Sequence, residues 1–204
     1  MRRLVLATRN EGKLNEVKAL LGDLDLELVD LTSYPGAPEV EEDQPTFAGN
    51  ARRKALAIAA HTGEWALADD SGLEVKALHG APGVHSARYA GMYGDDAANM
   101  KKLLAELRDV PGDRREARFT CALALATPDG RIIEAEGECK GRIGFGPKGS
   151  NGFGYDPLFF LPEYGRMMAE LTEEEKNRLS HRARAIGKLR PALKNLLAQA
   201  KAEH

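Results

Sequence analysis

The chain has 204 residues, 43% of them hydrophobic and 29% charged, which is enough for a buried core under an ordinary polar surface. Its formal net charge is −2, so no global basic field draws it to nucleic acid or to an anionic membrane. The apolar run at residues 4–7 is too short for a signal or membrane-spanning segment, and no such segment occurs elsewhere. We therefore expect a cytoplasmic protein that forms a single domain over residues 1–204.

Strand and helix patterns alternate along the first third of the chain. RRLVLA predicts a short buried strand, and LNEVKALLG predicts a helix that stops at Gly22. LELVDL predicts the next strand, and the long polar loop TSYPGAPEVEEDQP follows it. An alanine-rich helix over residues 46–62 and the strand WALAD come next, and LHGAPGVHSARYAGMYG, with no period, is expected to be irregular.

The second half of the chain combines a helix, a hairpin and two C-terminal helices. Asp95 is placed to cap a helix, and EARFTCALALAT, PDG and RIIEAEGECKG predict a β-hairpin. Thr172 and Glu175 form a capping box, and Ser180 can cap the last helix, which Pro191 is expected to kink. Alternating strands and helices followed by a hairpin predict an α/β protein with a mixed sheet.

The two cysteines, Cys121 and Cys139, lack the CxxC spacing of zinc and redox sites. They could pair with each other. Cys121 shares a predicted strand face with Phe119 and Leu123, which favours a thiol in the core.

The strand WALAD is predicted to end on two adjacent aspartates, Asp69 and Asp70, which Ser71 and Gly72 follow. A buried carboxylate is costly unless it is paired or bound to a metal, and successive strand side chains point to opposite faces. The two aspartates must therefore serve different functions. Residues 39–43 of the polar loop are a solvated charge run when taken alone, but one of these acids with one aspartate would suit Mg²⁺.

The turn TRNEGK joins the first strand to the first helix. Such a turn presents backbone N–H groups at the positive end of the helix dipole, which makes it a ready anion site. Thr8 and Asn10 add side-chain donors, and Lys13 adds a charge one turn into the helix. The plainer alternative is an ordinary capped helix with a surface lysine.

Two further segments have both a structural and a functional interpretation. GFGPKG matches GxGxxG, but no helix pattern follows it, so we reject a dinucleotide fingerprint. Phe153 and Tyr155 of GFGYD either supply a stacking face for a base or pack in the core. KNRLSHRARA is either a solvated basic face or a phosphate- or base-binding cluster. Together, these segments describe what a magnesium-dependent nucleotide enzyme requires.

Five segments carry a family resemblance. TRNEGK is similar to the (S/T)xNxxK motif of the inosine/xanthosine triphosphate pyrophosphatase family. ADDSGL, APGVHSARYAG, GFGYDP and LSHRARA resemble further signature blocks of that family, in the same order. The resemblance runs from about Arg3 to Pro191, and Thr8 stands where many relatives have serine, which also carries a hydroxyl.

The resemblance implies a fold and an activity. The fold would be an elongated mixed β-sheet flanked by helices, with two lobes around a central nucleotide cleft, usually in a homodimer. The activity would be Mg²⁺-dependent hydrolysis of ITP, dITP and XTP to the monophosphate and pyrophosphate, which cleanses the nucleotide pool. The partner would be a small-molecule nucleotide, with no nucleic acid and no membrane.

The resemblance also implies site residues, carried over by position. Glu41 and Asp70 would bind the metal, with Asp70 also the catalytic proton acceptor, and a shift of one residue in the loop register would put Glu42 in place of Glu41. The implied substrate-binding residues are Thr8, Arg9, Asn10, Glu11, Gly12, Lys13, Lys54, Ser71, Phe153, Gly154, Tyr155, Asp156, Lys176, His181 and Arg182.

Base selectivity follows from hydrogen bonding. Donors of His181 or Arg182 that face the C6 oxygen of inosine and xanthine would be left unpaired by the amino group of adenine. A pyrophosphatase for another base is the alternative enzyme, and a catalytically silent nucleotide sensor is the alternative from a different class. The sensor would not need Asp70 and the loop acids.

Overall fold

The structure is a computed structural model, and it describes residues 1–202. Seven strands form one sheet in the order β2-β1-β3-β4-β5-β6-β7. The elements are β1 (Arg2–Leu6), α1 (Glu11–Leu21), β2 (Leu26–Asp30), α2 (Phe47–Thr62), β3 (Trp65–Val75), α3 (Asp96–Glu106), β4 (Glu116–Ala126), β5 (Ile132–Ile143), β6 (Phe159–Leu161), β7 (Arg166–Met167), α4 (Glu173–Leu179) and α5 (His181–Ala202).

The sheet is mixed, as the sequence predicts. Strand β1 runs parallel to both of its neighbours, with Leu4 opposite Leu28 of β2 and Trp65 of β3. Strands β5, β6 and β7 pair antiparallel, with Ile143 opposite Phe159. The turn that joins β4 to β5 is closed by the Gly130 N–H, which donates to the Thr127 carbonyl. The predicted α/β class is therefore confirmed.

Contacts divide the chain into two compact units. The first comprises residues 1–70, 121–137 and the helix from Arg182 onward, and the second comprises residues 71–120 and 138–181. The first has a core of β1, β3 and β4 side chains packed with α1 and α5, in which Leu6, Leu123 and Leu189 are buried. The second has its own core, which includes Leu73, Leu103 and Phe159.

Strand β3 is longer than the sequence analysis predicts. It does not end at the two aspartates but continues to Val75, because Leu73 and Val75 are fully buried and extend the core of the second unit. Ser71 and Gly72 therefore lie inside the strand. The segment expected to be irregular contains two short 3₁₀ helices, Lys76–Leu78 and Gly83–Arg88.

The helix boundaries follow local signals closely. Asn10, Thr46, Asp95 and Thr172 each accept a hydrogen bond from the first turn of their helix, and the capping box at Thr172 is present. Helix α5 runs from His181 to Ala202 with Pro191 inside it, and the kink expected at this proline stays a prediction.

Two other predictions concern the cysteines and the membrane. Cys121 and Cys139 are buried thiols, so the alternative of a disulfide is wrong and the prediction of a core thiol at Cys121 is confirmed. Among residues 1–202 we find no helix whose length and apolarity would allow it to cross a lipid bilayer. The single-domain organisation, the two lobes around a cleft and the cytoplasmic location stay predictions.

Candidate functional site

The turn between β1 and α1 is held by its own side chains. The Asn10 N–H donates to Thr8 Oγ1 at 3.2 Å, and Asn10 Oδ1 accepts from the Lys13 N–H at 3.0 Å. The first N–H groups of a helix have no acceptor within the helix. Since Asn10 satisfies that of Lys13, those of Glu11 and Gly12 are the donors that an anion at this end of α1 would meet.

A pocket of the first unit lies beside this turn. It has a volume of about 670 Å³, and its lining includes Thr8, Arg9 and Glu11 together with loop residues 34–37. Three of the predicted substrate-binding residues therefore line one pocket. Arg9 is exposed there.

Asp69 is the centre of a buried ionic cluster in the first unit. Lys13 Nζ lies 2.6 Å from Asp69 Oδ1, and Arg182 Nε lies 2.7 Å from Asp69 Oδ2. The Cys121 thiol donates to the same Oδ2 at 3.2 Å. Burial alone would raise the pKa of Asp69, but the charges of Arg182 and Lys13 outweigh it and hold the pKa well below 3.8. Asp69 is thus paired with two cationic side chains, Lys13 and Arg182.

Arg182 is only 1% exposed and is enclosed by carboxylates. Besides Asp69, it forms an ion pair with Glu16 of α1. Burial alone would lower the pKa of Arg182, but Asp69 and Glu16 raise it, so the guanidinium stays charged. Its known partners are therefore side chains of the first unit, and the predicted contact with a base stays a prediction.

Asp70 has a different set of neighbours, as the alternation of strand side chains requires. It is 5% exposed, and its Oδ2 accepts from Asn50 Nδ2 at 2.8 Å. Burial raises the pKa of Asp70 from 3.8 to about 6, against the lowering effect of Lys13; the negative charge of Glu42 acts in the raising direction. Asp70 is thus a buried carboxylate whose charge is only partly compensated.

The loop acid whose charge acts on Asp70 is Glu42. It forms an ion pair with Lys54, whose ammonium also donates to the Asp69 carbonyl at 3.2 Å, and its charge acts on Asp70. Glu41, the residue placed in the metal site by the resemblance, is exposed. The geometry therefore favours Glu42 over Glu41 as the partner of Asp70.

Asp70 and Glu42 could hold a divalent cation such as Mg²⁺ only if water and substrate phosphates supply the remaining oxygen ligands. Within residues 1–202, no three His, Cys, Asp or Glu side chains cluster closely enough to hold a metal ion by themselves. Asp70 and Glu42 offer carboxylate oxygens, and Mg²⁺ in proteins keeps several waters and uses one or two carboxylates together with substrate phosphates. The residues present fit that pattern.

A glycine-rich loop of the second unit brings together Phe153, Asp156 and Lys176. Lys176 Nζ lies 2.6 Å from Asp156 Oδ2 and 4.7 Å from the centre of the Phe153 ring. Asp156 and Lys176 are buried, whereas Phe153 is half-buried. Phe153 therefore keeps an accessible portion that could stack on a planar ligand.

The remaining predicted residues of the second unit divide between core and loop. Tyr155 is 5% exposed and its hydroxyl donates to the Ser86 carbonyl at 2.8 Å, so the core interpretation holds for this ring. His181 is buried and stacked on Phe119, with ring centres 4.9 Å apart. Ser71 is half-buried within β3.

Glu16 and Asn50 were not predicted to belong to the site. Glu16 follows Lys13 by three residues on α1, and Asn50 precedes Lys54 by four residues on α2. Residues at these spacings share a helix face. Each is thus a polar residue on the same face as a predicted lysine, which is the signal that would have found it.

Comparisons with known proteins agree with these observations. The sequence model of the Ham1 family matches residues 4–192. A dITP/XTP pyrophosphatase of Desulforamulus reducens is 56% identical over 194 residues, which cover 95% of this chain and 96% of that protein. The solved structure of a HAM1 protein from Coxiella burnetii is 42% identical, with a TM-score of 0.87, and the match covers 96% of this chain and 100% of that one. A dITP/XTP pyrophosphatase structure from Mycobacterium abscessus is 48% identical, with a TM-score of 0.75, over 94% and 99% of the two chains.

The ionic cluster predicts that Arg182→Ala acts first on stability. Removing one partner of a buried ion pair leaves an uncompensated charge, so we expect the free energy of unfolding to fall by about 3–5 kcal/mol. Urea denaturation followed by circular dichroism measures this change. Lys188→Ala, an exposed change on the same helix, should stay within about 0.5 kcal/mol of the unmodified protein. Equal denaturation midpoints for the two variants would contradict the assignment.

Asp70→Asn should stabilise the protein in the absence of metal, in a pH-dependent way. Because the pKa of Asp70 is raised from 3.8 to about 6, this group's stabilising contribution is present below pH 3.8 and is lost as the pH rises to about 6. Asparagine carries no charge, so we expect a gain on the order of 3 kcal/mol at pH 8 and a much smaller one at pH 4.

Urea denaturation in a chelator at the two pH values tests this expectation. Asp113→Asn, which changes an exposed carboxylate, serves as the control and should give no gain at either pH. An equal gain from Asp70→Asn at both pH values would show that burial of charge is not the cause.

Proposed function

We propose that this chain, which belongs to the Ham1 family, hydrolyses dITP, ITP and XTP to the nucleoside monophosphate and pyrophosphate. Its relatives are named dITP/XTP pyrophosphatases at about half identity over nearly the full chain. The observation that carries the proposal is the surroundings of Asp70: a buried carboxylate, Glu42 and two lysines in the same unit as the N-terminus of α1. A silent nucleotide sensor would gain nothing from an ionised carboxylate that is costly to bury.

The first unit supplies the groups that a triphosphate needs. The N–H groups of Glu11 and Gly12 begin α1, where the helix dipole favours negative charge. The Lys13 ammonium has three N–H donors, and one of them is directed to Asp69. This ion pair orients the lysine side chain, and the other two donors can bind phosphate oxygens. Lys54 adds a second ammonium, held by Glu42. Phosphoryl chemistry depends mainly on such positioning and charge stabilisation.

We assign the magnesium site to Asp70 and Glu42, in place of Asp70 and Glu41. Both carboxylates belong to one charge cluster with Lys54, whereas Glu41 faces solvent. When bound, the ion would neutralise phosphate oxygens and polarise the bond to the leaving pyrophosphate.

Asp70 is also the candidate proton acceptor. A pKa of about 6 leaves it mostly ionised at neutral pH and makes it a stronger base than an ordinary aspartate. A cation on the same carboxylate lowers that pKa again, so the two roles compete for one group. Asn50, which donates to Oδ2, fixes the orientation of the carboxylate in either role.

The second unit carries the candidate base-recognition groups. Phe153 offers a ring face, and Lys176 and His181 are the cationic and imidazole groups of the same unit. Lys176 and His181 are this unit's candidates for donors to the C6 oxygen, whereas Arg182 belongs to the first unit and pairs there with Asp69 and Glu16. A homodimer and a cytoplasmic location stay predictions.

A nucleoside triphosphate panel tests the activity. With Mg²⁺ present, we expect kcat/KM for dITP, ITP and XTP to exceed that for dATP by up to about 10⁴–10⁵, because adenine leaves buried donors unpaired. Anion-exchange chromatography should show monophosphate and pyrophosphate, with no diphosphate. Asp70→Asn should lose nearly all turnover, and the exposed Asp113→Asn should keep it. Preference for a pyrimidine or another base would favour the alternative enzyme, and binding without turnover would favour the sensor.

The loop assignment is tested by a matched pair, Glu42→Gln and Glu41→Gln. Loss of a carboxylate beside Asp70 should raise the Mg²⁺ concentration for half-maximal rate by at least about tenfold. We expect this change only for Glu42→Gln, with Mn²⁺ affinity from electron paramagnetic resonance shifting in parallel. A rise in the required Mg²⁺ concentration only for Glu41→Gln would contradict the assignment of Glu42 and support Glu41 as the loop ligand.

A further inference from the structure

The loop that carries Phe153 is tied to helix α3 by one hydrogen bond. The Gly154 N–H donates to Asp96 Oδ2 at 2.7 Å, across 58 residues of sequence. Both residues belong to the second unit. Because the acceptor is a carboxylate, this is a charge-assisted bond, the stronger kind of hydrogen bond.

The same loop is closed on itself by Asp156. Asp156 Oδ2 accepts from the Phe153 N–H at 3.0 Å and from Lys176 Nζ at 2.6 Å. Gly152 and Gly154 flank Phe153 with φ of +77° and +62°, a region that side chains other than glycine rarely adopt. A Cβ at Gly152 would lie 2.1 Å from Asp156 Oδ2, so the turn is as tight as it can be on that side.

The Gly154 side of Phe153 is different. A Cβ at Gly154 would meet nothing within 4 Å, so no other part of the protein packs against that side of the residue. Glycine has the widest conformational freedom of any residue. The peptide group between Phe153 and Gly154, which sets the direction of the Phe153 backbone, is therefore fixed from this side by the bond to Asp96.

Asp96 is available for this bond because its neighbour caps the helix. Asp95 Oδ1 accepts from the Ala98 N–H at 2.9 Å, which is the N-cap bond of α3. Asp96 is the first residue of the helix, and its Oδ2 is directed to the loop instead. One aspartate thus begins the helix, and the next connects the helix to the glycine-rich loop.

We propose that Asp96 is a positioning residue for base binding, which holds the Phe153 ring in the orientation that stacks on the purine. This inference rests on the proposed function. The competing explanation is structural: a carboxylate in the first turn stabilises α3 through the helix dipole. The two differ in what the conservative variant does, because asparagine keeps an oxygen acceptor and loses the charge.

The experiment measures binding in an Asp70→Asn background, where turnover does not consume the ligand. Isothermal titration calorimetry with Mg²⁺ gives the Kd for dITP and for inorganic tripolyphosphate, which has no base. We expect Asp96→Ala to weaken dITP about tenfold, the lower end of what loss of a charge-assisted bond costs, and to leave tripolyphosphate within about twofold. Asp96→Asn should recover most of the dITP affinity, and the exposed Asp113→Ala should change neither Kd.

The outcomes separate the possible failures. An unchanged dITP Kd in Asp96→Ala, or an equal loss for dITP and tripolyphosphate, would overturn the positioning role. So would an asparagine variant as weak as the alanine one, which is what the dipole explanation predicts. Absence of dITP hydrolysis by the unmodified protein with Mg²⁺ present, with the fold intact by circular dichroism, would instead overturn the proposed function.

Discussion

The first unit depends on the shared carboxylate of Asp69. One side chain of β3 accepts from Lys13 of α1, Arg182 of α5 and Cys121 of β4. A buried charge is tolerable only when it is paired and hydrogen-bonded, and here four elements must be in place together to satisfy it. The cluster therefore fixes the positions of α1 and α5 against the sheet, and it orients the lysine that the proposed chemistry needs.

Asp70, the next residue of the same strand, is a buried carboxylate whose charge is only partly compensated. Asp70 faces Asn50, Lys54 and Glu42, and burial leaves its pKa at about 6. A fully compensated carboxylate would be inert, whereas this one can take up a proton or a cation near neutral pH. Adjacent positions on a strand thus give one structural aspartate and one reactive aspartate, because the pleat directs the two side chains to opposite faces of the sheet.

Local patterns and motifs predicted much of this molecule, and long-range contacts account for the rest. Caps such as Asn10 and Asp95 were readable because the signal and its target lie within four residues. The end of β3 could not be predicted from local signals. It depends on the packing of Leu73 and Val75 in a core whose other residues mostly come later in the chain. Local signals also could not decide between Glu41 and Glu42, because a loop has no periodic pattern. They could not identify the partners of Arg182 either, because a guanidinium can bind a base as well as a carboxylate.

Helix α2 has a consequence for how this activity can change. Its buried face includes Ala51, Ala55 and Ala59, which bring its backbone close enough for Asn50 and Lys54 to reach the aspartates of β3. The small alanine side chains therefore set the distance between the α2 backbone and β3, and with it the positions of Asn50 and Lys54. A single added carbon on that face would push two functional groups outward at once, and displacements of about 1 Å can cost about a hundredfold in rate. Substitutions at these three alanines would therefore affect the activity although none of them contacts the substrate in the proposed mechanism.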